Sequence, residues 1–480
     1  MHLLHTIQSI PKILESPSAC SHPTLPHVKL SAMQPTTPIY PLTPDQSGAL
    51  SFLNNFFNEP LPWIHHTERE ALICGYAGTG KTWLISQWLS TLCDQDPIPS
   101  ICIAAPTHKA LDVLRQQCGH LPLGFKTLNA LLGVSVFRND EGDMEKSLFG
   151  SDLAFDLVVV DEGSMVNAEF FRLLQRAIKE GIIGRVVYVG DPAQLPPVKE
   201  DHSPIFDIPA ERTFTLREIV RHSGAIITVA TYLRRCIEEE TSFSLYEIRD
   251  LVPAGDRSVS FITKKAIYAW ATNAYKANLE CRILAWTNAA VIDHNKVMHD
   301  ICYPGVSFFG IGERVIVNEA YQIRKPKEGQ LPSEDDALMN GEIMTVTSCE
   351  LLPPLLGVVI YEVSAIRLLT GKPVTVQVAF SEPRRAAVHK GLNEDIWALR
   401  DYRSNGAHAE KREELVRVRK AIGRLCPLRH SYASTVHKSQ GSTYAVAIVD
   451  FNDIYRSDDN ARLMYVGATR PSQFLVFAKS

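Results

Sequence analysis

The chain has 480 residues, of which 45% are hydrophobic and 21% are charged, and its formal net charge is −4 at pH 7. This composition excludes a disordered protein, and the length predicts about three structural units at roughly 150 residues each. The net charge does not indicate a nucleic-acid partner, so any contact with phosphates needs a local basic surface.

The ten cysteines stand singly, without a CxxC pair, and several lie in apolar runs. This distribution predicts buried free thiols in a reducing compartment, and neither a disulfide framework nor a zinc site. No stretch reaches the roughly 18 uninterrupted apolar residues that a membrane-spanning helix needs. The sequence therefore predicts a cytoplasmic protein without a membrane partner.

Residues 1–40 hold six prolines among serine, threonine and histidine, and they show little periodicity. We expect a flexible tail here. A signal peptide is not predicted, because the start of the chain lacks basic residues followed by a continuous apolar core.

The clearest signal is the octet GYAGTGKT at residues 75–82. Its glycines permit positive φ angles and turn backbone N–H groups toward a phosphate, while the helix that follows points its positive end at the anion. Lys81 is expected to reach the β- and γ-phosphates, and Thr82 to bind Mg²⁺. The apolar run before the octet and the helical periodicity of residues 82–93 favour a strand, a phosphate loop and a helix. ATP and Mg²⁺ are the predicted cofactors.

Further strands end in polar residues. The valine-rich run at 156–160 ends in Asp161 and Glu162, a pair suited to hold a magnesium-bound water and to act as general base. The run at 185–190 leads to Gln194, which is placed to sense the γ-phosphate. Successive units of strand and polar turn predict a parallel sheet with helices on both faces and ligands at the carboxyl ends of the strands.

In this order the motifs resemble those of the superfamily 1 helicases, specifically the RecD/Dda type. LTPDQSGAL (42–50) is similar to the Q motif, GYAGTGKT to motif I, APTHKA (105–110) to motif Ia, DEGS (161–164) to motif II and GDPAQLPPV (190–198) to motif III. LREIVRHSGAII (216–227) resembles motif IV, YASTVHKSQGST (432–443) motif V and LMYVGATR (463–470) motif VI, and ILAWTNAAVIDHN (283–295) resembles the strand and helix of a second RecA-like sheet. The resemblance covers about residues 41–480.

The resemblance implies roles for individual residues. Gln46 is expected to recognise adenine, and Arg221 and Arg470 to act as arginine fingers. The predicted catalytic residues are Lys81, Asp161, Glu162, Gln194, Arg221 and Arg470. The predicted ATP-binding residues are Gln46, Gly75, Tyr76, Ala77, Gly78, Thr79, Gly80, Lys81, Thr82 and Gly441, and the predicted metal ligands are Thr82 and Asp161.

By the same pattern the DNA-binding residues are Thr107, Thr127, Thr435 and His437, which contact the strand backbone. Sequence-independent affinity also needs lysine and arginine. The segment FKTLNALL (125–132) is similar to a Thr-Ile-His-Ser-Leu element of related enzymes, with Asn129 where histidine is usual.

Two insertions complete the prediction. Residues 133–150 alternate apolar and polar residues around a turn, which predicts a β-hairpin; in this family the hairpin is the pin that splits the duplex, and Phe137 is a candidate for its tip. In the insertion at 306–426, short alternating strands predict an SH3-like barrel, followed by a charged helical arm at 396–425 that is either solvated or in contact with DNA.

The predicted fold class is α/β: two RecA-like P-loop NTPase domains with parallel sheets, plus β-hairpin and SH3-like barrel insertions. The predicted domains are 1–40 (tail), 41–200 (domain 1A, with hairpin 1B at 133–150), 201–305 with 427–480 (domain 2A) and 306–426 (domain 2B). The predicted function is an ATP-dependent DNA helicase with 5′ to 3′ polarity. Its partners are single-stranded DNA, duplex junctions and single-strand-binding, replication or recombination proteins. A translocase that displaces proteins without unwinding, and a small-molecule phosphotransferase, stay open as alternatives.

Overall fold

The fold is described from a computed structural model of the chain. It describes residues 42–61, 65, 68–138, 144–148, 154–218, 224–323, 337–399 and 406–479. The predicted tail at residues 1–40, Arg221 and the side chain of Phe137 lie outside the described part, so these predictions stay predictions. No helix within the described ranges is both long and apolar enough to cross a membrane.

The first part of the chain alternates strands and helices, as its apolar runs predict. Its elements are α1 (Pro44–Asn58), β1 (Glu70–Gly75), α2 (Lys81–Cys93), β2 (Ile101–Ala105), α3 (His108–Cys118), β3 (Gly124–Thr127), α4 (Leu128–Leu131), β4 (Val134–Arg138), β5 (Met144–Leu148), β6 (Phe155–Val160), α5 (Ala168–Lys179), β7 (Ile183–Gly190) and β8 (Thr213–Leu216). Six of the strands form a parallel sheet in the order β3-β2-β6-β7-β1-β8. The other two, β4 and β5, pair antiparallel and confirm the predicted hairpin.

The central strands of this first sheet are buried on both faces, which explains their continuous apolar sequences. Ile73 of β1 shares a buried cluster with Trp88 of α2 and Leu111 of α3. Its neighbour Leu72 lies in a second cluster with Leu174 of α5. Helices therefore cover both faces, and the polar loops after β1, β2, β6 and β7 lie along the carboxyl edge of the sheet.

The second part of the chain builds two more sheets. Its elements are α6 (Ala225–Glu238), α7 (Leu245–Leu251), β9 (Val259–Thr263), α8 (Ile267–Lys276), β10 (Cys281–Ala285), α9 (Asn288–Cys302), β11 (Arg314–Val317), β12 (Tyr321–Gln322), β13 (Ala337–Leu338), β14 (Ile343–Leu355), β15 (Val358–Arg367), β16 (Pro373–Ala379), α10 (Glu382–Ala398), α11 (Gly406–Gly423), β17 (Leu428–His430), β18 (Ala433–Thr435), α12 (Val436–Ser439), β19 (Tyr444–Asp450), α13 (Phe451–Ile454), α14 (Asn460–Ala468) and β20 (Pro471–Lys479). The second sheet is parallel, in the order β18-β10-β19-β20-β9. The predicted strand and helix at 283–295 correspond to β10 and α9, so the α/β prediction with parallel sheets is confirmed.

Between α9 and β18 the chain forms an antiparallel accessory sheet in the order β16-β15-β14-β11-β17. The predicted strands are present, and Val374, Val376 and Val378 of β16 are buried on one face, as their alternation indicates. The predicted closed SH3-like barrel is not found, because β16 and β17 stay at opposite edges of an open sheet in the described residues.

Two helices cover one end of the accessory sheet. α10 begins after the N-cap Ser381, well before the helical arm that the sequence predicts, and α11 follows it. Leu392 of α10 and Ile422 of α11 share a buried cluster with Ile360 of β15. The apolar surface at this end is thus buried by helices and not by closure of a barrel.

Candidate nucleotide site and strand groove

The loop between β1 and α2 has the geometry that the octet predicts. Gly78 and Gly80 have φ angles of 87° and 80°, in the left-handed region that favours glycine, and α2 begins at Lys81. The Lys81 ammonium donates to the carbonyl oxygens of Gly75 at 2.6 Å and Tyr76 at 3.0 Å. The loop thus folds around its own lysine, and phosphate oxygens can replace these two carbonyls as its acceptors.

The two carboxylates after β6 lie in an uncommon backbone turn. Glu162 has a φ of 51°, which residues other than glycine seldom adopt, and its N–H donates to Asp161 Oδ1 at 2.8 Å. Burial and the charge of Glu162 raise the pKa of Asp161 to about 7, and the charge of Lys81 opposes this rise. A divalent cation beside the pair would offset the repulsion, so the residue set fits Mg²⁺, with Thr82 as the other predicted ligand.

Tyr465 of α14 connects the second sheet to the nucleotide loop. Its hydroxyl accepts a hydrogen bond from the N–H of Ala77 at 3.0 Å and donates to Asp191 Oδ2, in the turn after β7, at 2.7 Å. Burial and the charge of Asp191 raise the pKa of Tyr465 well above its usual range, so the hydroxyl keeps the proton that it donates. The first sheet, the nucleotide loop and α14 therefore meet at one hydroxyl group.

Arg462 makes a second contact between α14 and the turn after β7. Its guanidinium donates to the carbonyl oxygens of Pro192 at 2.6 Å and Gln194 at 3.0 Å. The Gln194 side chain is buried, and its oxygen has no hydrogen-bond partner in the described part of the chain. Sequence analysis found Gln194 but neither Arg462 nor Tyr465, although Tyr465 lies within LMYVGATR and Arg462 directly precedes it.

Arg470, two residues beyond α14, is hydrogen-bonded within its own half of the molecule, the half built on the second parallel sheet. Its guanidinium donates to the carbonyl oxygens of Val466 at 3.0 Å and Ser442 at 3.3 Å, and to Thr469 Oγ1 at 2.9 Å. The residue is buried. To act on a phosphate, this guanidinium has to exchange at least part of these hydrogen bonds.

Gln46 and Gly441 adjoin elements of the first sheet. Gln46 Nε2 donates to the carbonyl oxygen of Thr79 at 3.4 Å, and its Oε1 accepts from the Thr43 N–H at 3.2 Å as part of the capping box of α1. Gly441 has a φ of 69°, and a Cβ there would lie 3.1 Å from Cβ of Ala110 in α3. The structure thus holds Gln46 against the nucleotide loop, while Gly441 allows close contact between the two halves.

Tyr76 makes another contact that the sequence did not predict. Its hydroxyl is hydrogen-bonded to Glu238 of α6, and the Arg234 guanidinium lies 4.2 Å from the centroid of its ring. Burial and the hydrogen bond with Glu238 raise the pKa of Tyr76 to about 12. The nucleotide loop is therefore attached to α6 as well as to α14.

A groove of about 610 Å³ brings together four of the five residues predicted to contact DNA: Thr107, Thr127, Thr435 and His437. Each threonine caps the helix that follows it, and its hydroxyl oxygen accepts a backbone N–H bond of 3.2 or 3.3 Å. Burial lowers the pKa of His437, so its ring acts as a neutral hydrogen-bonding group at pH 7. Asn129, at the position where histidine is usual, also lines the groove.

The groove is positively charged although the chain carries a net charge of −4. Its lining includes Lys109, Arg282, Arg429 and Lys438, against the single carboxylate of Glu319. Burial and the charge of Arg429 lower the pKa of Lys438, as expected where cations are close together. This is the local basic surface that nucleic-acid binding requires of an acidic chain.

Two family models and a curated helicase match the chain. The AAA domain model matches residues 63–257, and the UvrD-like helicase C-terminal domain model matches residues 430–477. The ATP-dependent DNA helicase dda of Enterobacteria phage T4 is 25% identical over 308 residues, which cover 62% of this chain and 66% of the phage protein. These matches support a superfamily 1B helicase of the RecD/Dda type.

Other relatives differ in how much of each chain aligns. The uncharacterized protein R530 of Acanthamoeba polyphaga mimivirus is 25% identical over 496 residues, or 88% of this chain and 97% of the viral protein. The RecBCD enzyme subunit RecD of Mycolicibacterium smegmatis is 34% identical over 149 residues, which span 26% of RecD and 27% of this chain. The crystal structure of the Bacteroides Pif1 helicase with ADP-AlF3 and ssDNA aligns over 89% of this chain and 91% of that chain, at 15% identity and a TM-score of 0.48.

Proposed function

We propose that this protein is an ATP-dependent DNA helicase that moves 5′ to 3′ along single-stranded DNA and unwinds duplex DNA. The proposal rests chiefly on α14, which contacts the nucleotide loop and packs against the second sheet, strands of which line the groove. Elements already in contact can pass a change at the loop to the groove. The direction of movement follows the RecD/Dda resemblance.

In the proposed cycle Lys81 binds the β- and γ-phosphates of ATP. Thr82 and Asp161 would hold Mg²⁺, which would supply positive charge to the phosphoryl group in transfer. Glu162 orients the attacking water and accepts its proton. Gln194 senses the γ-phosphate, to which its side-chain amide group can donate a hydrogen bond.

Arg221 and Arg470 are the proposed arginine fingers. An arginine that stabilises the charge developing on the γ-phosphate is worth about 10³ to 10⁵ in rate. Arg470 now donates to groups of its own half, so it has to exchange part of these hydrogen bonds to reach the phosphate. Closure on ATP and release after hydrolysis would then advance the protein along the strand.

The strand is proposed to lie in the basic groove, with Thr107, Thr127, Thr435 and His437 against its backbone. The hairpin β4–β5 is the proposed pin, with Phe137 as the candidate for its tip. Duplex junctions are the proposed substrates, and single-strand-binding, replication or recombination proteins are the proposed partners.

ATP hydrolysis with and without an oligothymidine strand tests the proposal. We expect the strand to raise turnover, and Lys81→Ala to abolish hydrolysis while it keeps strand binding. Lys390→Ala, at an exposed lysine paired with Glu394, is the matched control. Turnover that no strand alters would refute a nucleic-acid motor, and loss of strand binding in Lys81→Ala would refute the assignment of Lys81 to ATP.

A further inference from the structure

Arg282 of β10 has a buried guanidinium group, and most of its N–H groups make no hydrogen bond among the described residues. The residue is 3% exposed and lines the groove. Its Nε and Nη1 groups donate to no acceptor among the described residues. Because a buried guanidinium with unbonded N–H groups is costly, the site favours an anion that the protein itself does not provide.

A second cation lies on the same aromatic ring. The centroid of the Tyr444 ring is 5.2 Å from Cζ of Arg282 and 4.7 Å from Nζ of Lys109. Burial raises the pKa of the Tyr444 hydroxyl, but the charges of Lys109 and Arg282 outweigh this effect and lower it overall. Both cations therefore act on one buried group.

The two cations come from different halves of the molecule. Lys109 belongs to α3, which packs on the first sheet, whereas Arg282 and Tyr444 belong to strands of the second sheet. Like charges at this junction repel each other, and one anion between them would turn the repulsion into attraction. Such an anion would lie in the groove, which Thr107 and Thr435 also line.

We propose that Lys109 and Arg282 together bind one backbone phosphate of the DNA strand, and that both cations contact the ring of Tyr444. This inference rests on the proposed function, because its ligand is the strand. Arginine matches phosphate through two N–H groups and lysine through a point charge, so the pair suits one phosphate. A strand bound here is held by both halves, which links strand binding to their closure.

The number of phosphates can be measured from the salt dependence of strand binding. For a fluorescein-labelled oligothymidine followed by anisotropy, each neutralised phosphate contributes about 0.7 to the slope of log affinity against log salt concentration. If Lys109 and Arg282 share one phosphate, the double variant Lys109→Gln/Arg282→Gln lowers the slope by about 0.7 in total. If they bind separate phosphates, the slope falls by about 1.4.

Three variants support the measurement. Arg282→Lys keeps the charge and should restore the slope, with lower affinity because the two-pronged contact is lost. Arg176→Gln removes an exposed arginine paired with Glu180 and serves as the matched control with unchanged slope. Lys109→Gln alone provides the test at a partly exposed position if replacement of the buried arginine impairs folding.

The change in slope distinguishes one shared phosphate from two separate phosphates. A fall of about 0.7 in the double variant, with non-additive single effects, supports the shared site. A wild-type slope, or a fall of about 1.4, overturns it. Weaker binding of fluorescent ADP by Arg282→Gln would assign the anion to the nucleotide and also overturn the inference. Failure of the wild-type protein to bind the strand at any salt concentration would instead refute the proposed function.

Discussion

At the scale of single residues, Tyr465 joins the nucleotide loop to the turn after β7 through one hydroxyl group. Tyr465→Phe removes the donor to Asp191 and the acceptor for the Ala77 N–H. A hydrogen bond to a charged group contributes about 1.5–3 kcal/mol, so its loss during hydrolysis would lower kcat roughly 10- to 100-fold.

Steady-state ATP hydrolysis at saturating single-stranded DNA measures this effect. Tyr246→Phe, at a tyrosine that is 72% exposed, is the matched control, and we expect it to behave like the wild-type protein. An unchanged kcat in Tyr465→Phe would show that the hydroxyl only fills space.

Sequence analysis assigns residue roles, which stay predictions, where the chemistry is local in sequence. Lys81 and Thr82 belong to one octet, and Asp161 and Glu162 to one strand end, so their spacing alone indicates a phosphate site. Tyr465 could not be linked to Ala77 in this way, because 388 residues separate the two. A contact between distant segments depends on how the two sheets pack, which no short motif encodes.

At the scale of elements, the helix-capping threonines allow stability and strand binding to be separated. Thr435 caps α12 and lines the groove, whereas Thr287 caps α9 with the same geometry and is not among the groove residues. Replacing Thr435 by alanine should lower the free energy of unfolding by about 1 kcal/mol, and the loss should be larger at Thr287, whose hydroxyl also donates to Asp453 Oδ1 at 2.9 Å. Only Thr435→Ala should also weaken strand binding, as measured by anisotropy; equal losses of affinity in both variants would contradict a contact with the strand.

Glu313, directly before β11 of the accessory sheet, is hydrogen-bonded to helix α9 and strand β17. Its buried carboxylate lies 2.7 Å from Nδ1 of His430 and 3.1 Å from Nδ1 of His299, and accepts the Gly310 N–H at 2.8 Å. Burial raises the pKa of Glu313, but the hydrogen bond and charge of His430 and the Gly310 N–H bring it below 4.5. The folded pKa is lower than the unfolded one, so the stabilisation is present above pH 4.5 and is lost as the pH falls through the folded pKa.

Glu313→Gln should therefore lower the free energy of unfolding by about 1.5–3 kcal/mol at pH 7, because buried hydrogen bonds to a carboxylate are lost, and remove this part of the acid sensitivity. Urea denaturation at neutral and acidic pH measures both effects. Glu394→Gln, at an exposed glutamate, is the control that should change neither. A Glu313→Gln variant with the wild-type pH dependence would contradict the role of this carboxylate.

Element types followed from sequence periodicity more reliably than tertiary closure did. Continuous apolar runs predict the buried parallel strands, and alternation of apolar and polar residues predicts the hairpin and the strands of the accessory sheet. Closure into a barrel depends on whether edge strands such as β16 and β17 meet, and here α10 and α11 cover the apolar end instead.

At the scale of the whole molecule, the two parallel sheets meet at sites with complementary chemistry. The nucleotide loop contacts α6 and α14, and the basic groove is lined by residues from both sheets. The net charge of −4 does not indicate a basic groove, because its lysines and arginines are far apart in the sequence and come together only in the folded chain. A motor driven by ATP is consistent with this arrangement, since the same interface borders both sites.

The most direct test is ATP-dependent unwinding of two matched duplexes, one with a 5′ single-stranded tail and one with a 3′ tail, with Lys81→Ala as the inactive control. We predict that only the 5′-tailed duplex is opened. Opening of the 3′-tailed duplex alone would contradict the direction of movement. If neither duplex is opened while single-stranded DNA still accelerates ATP hydrolysis, the protein is not a helicase, and a translocase that displaces bound proteins replaces the proposal.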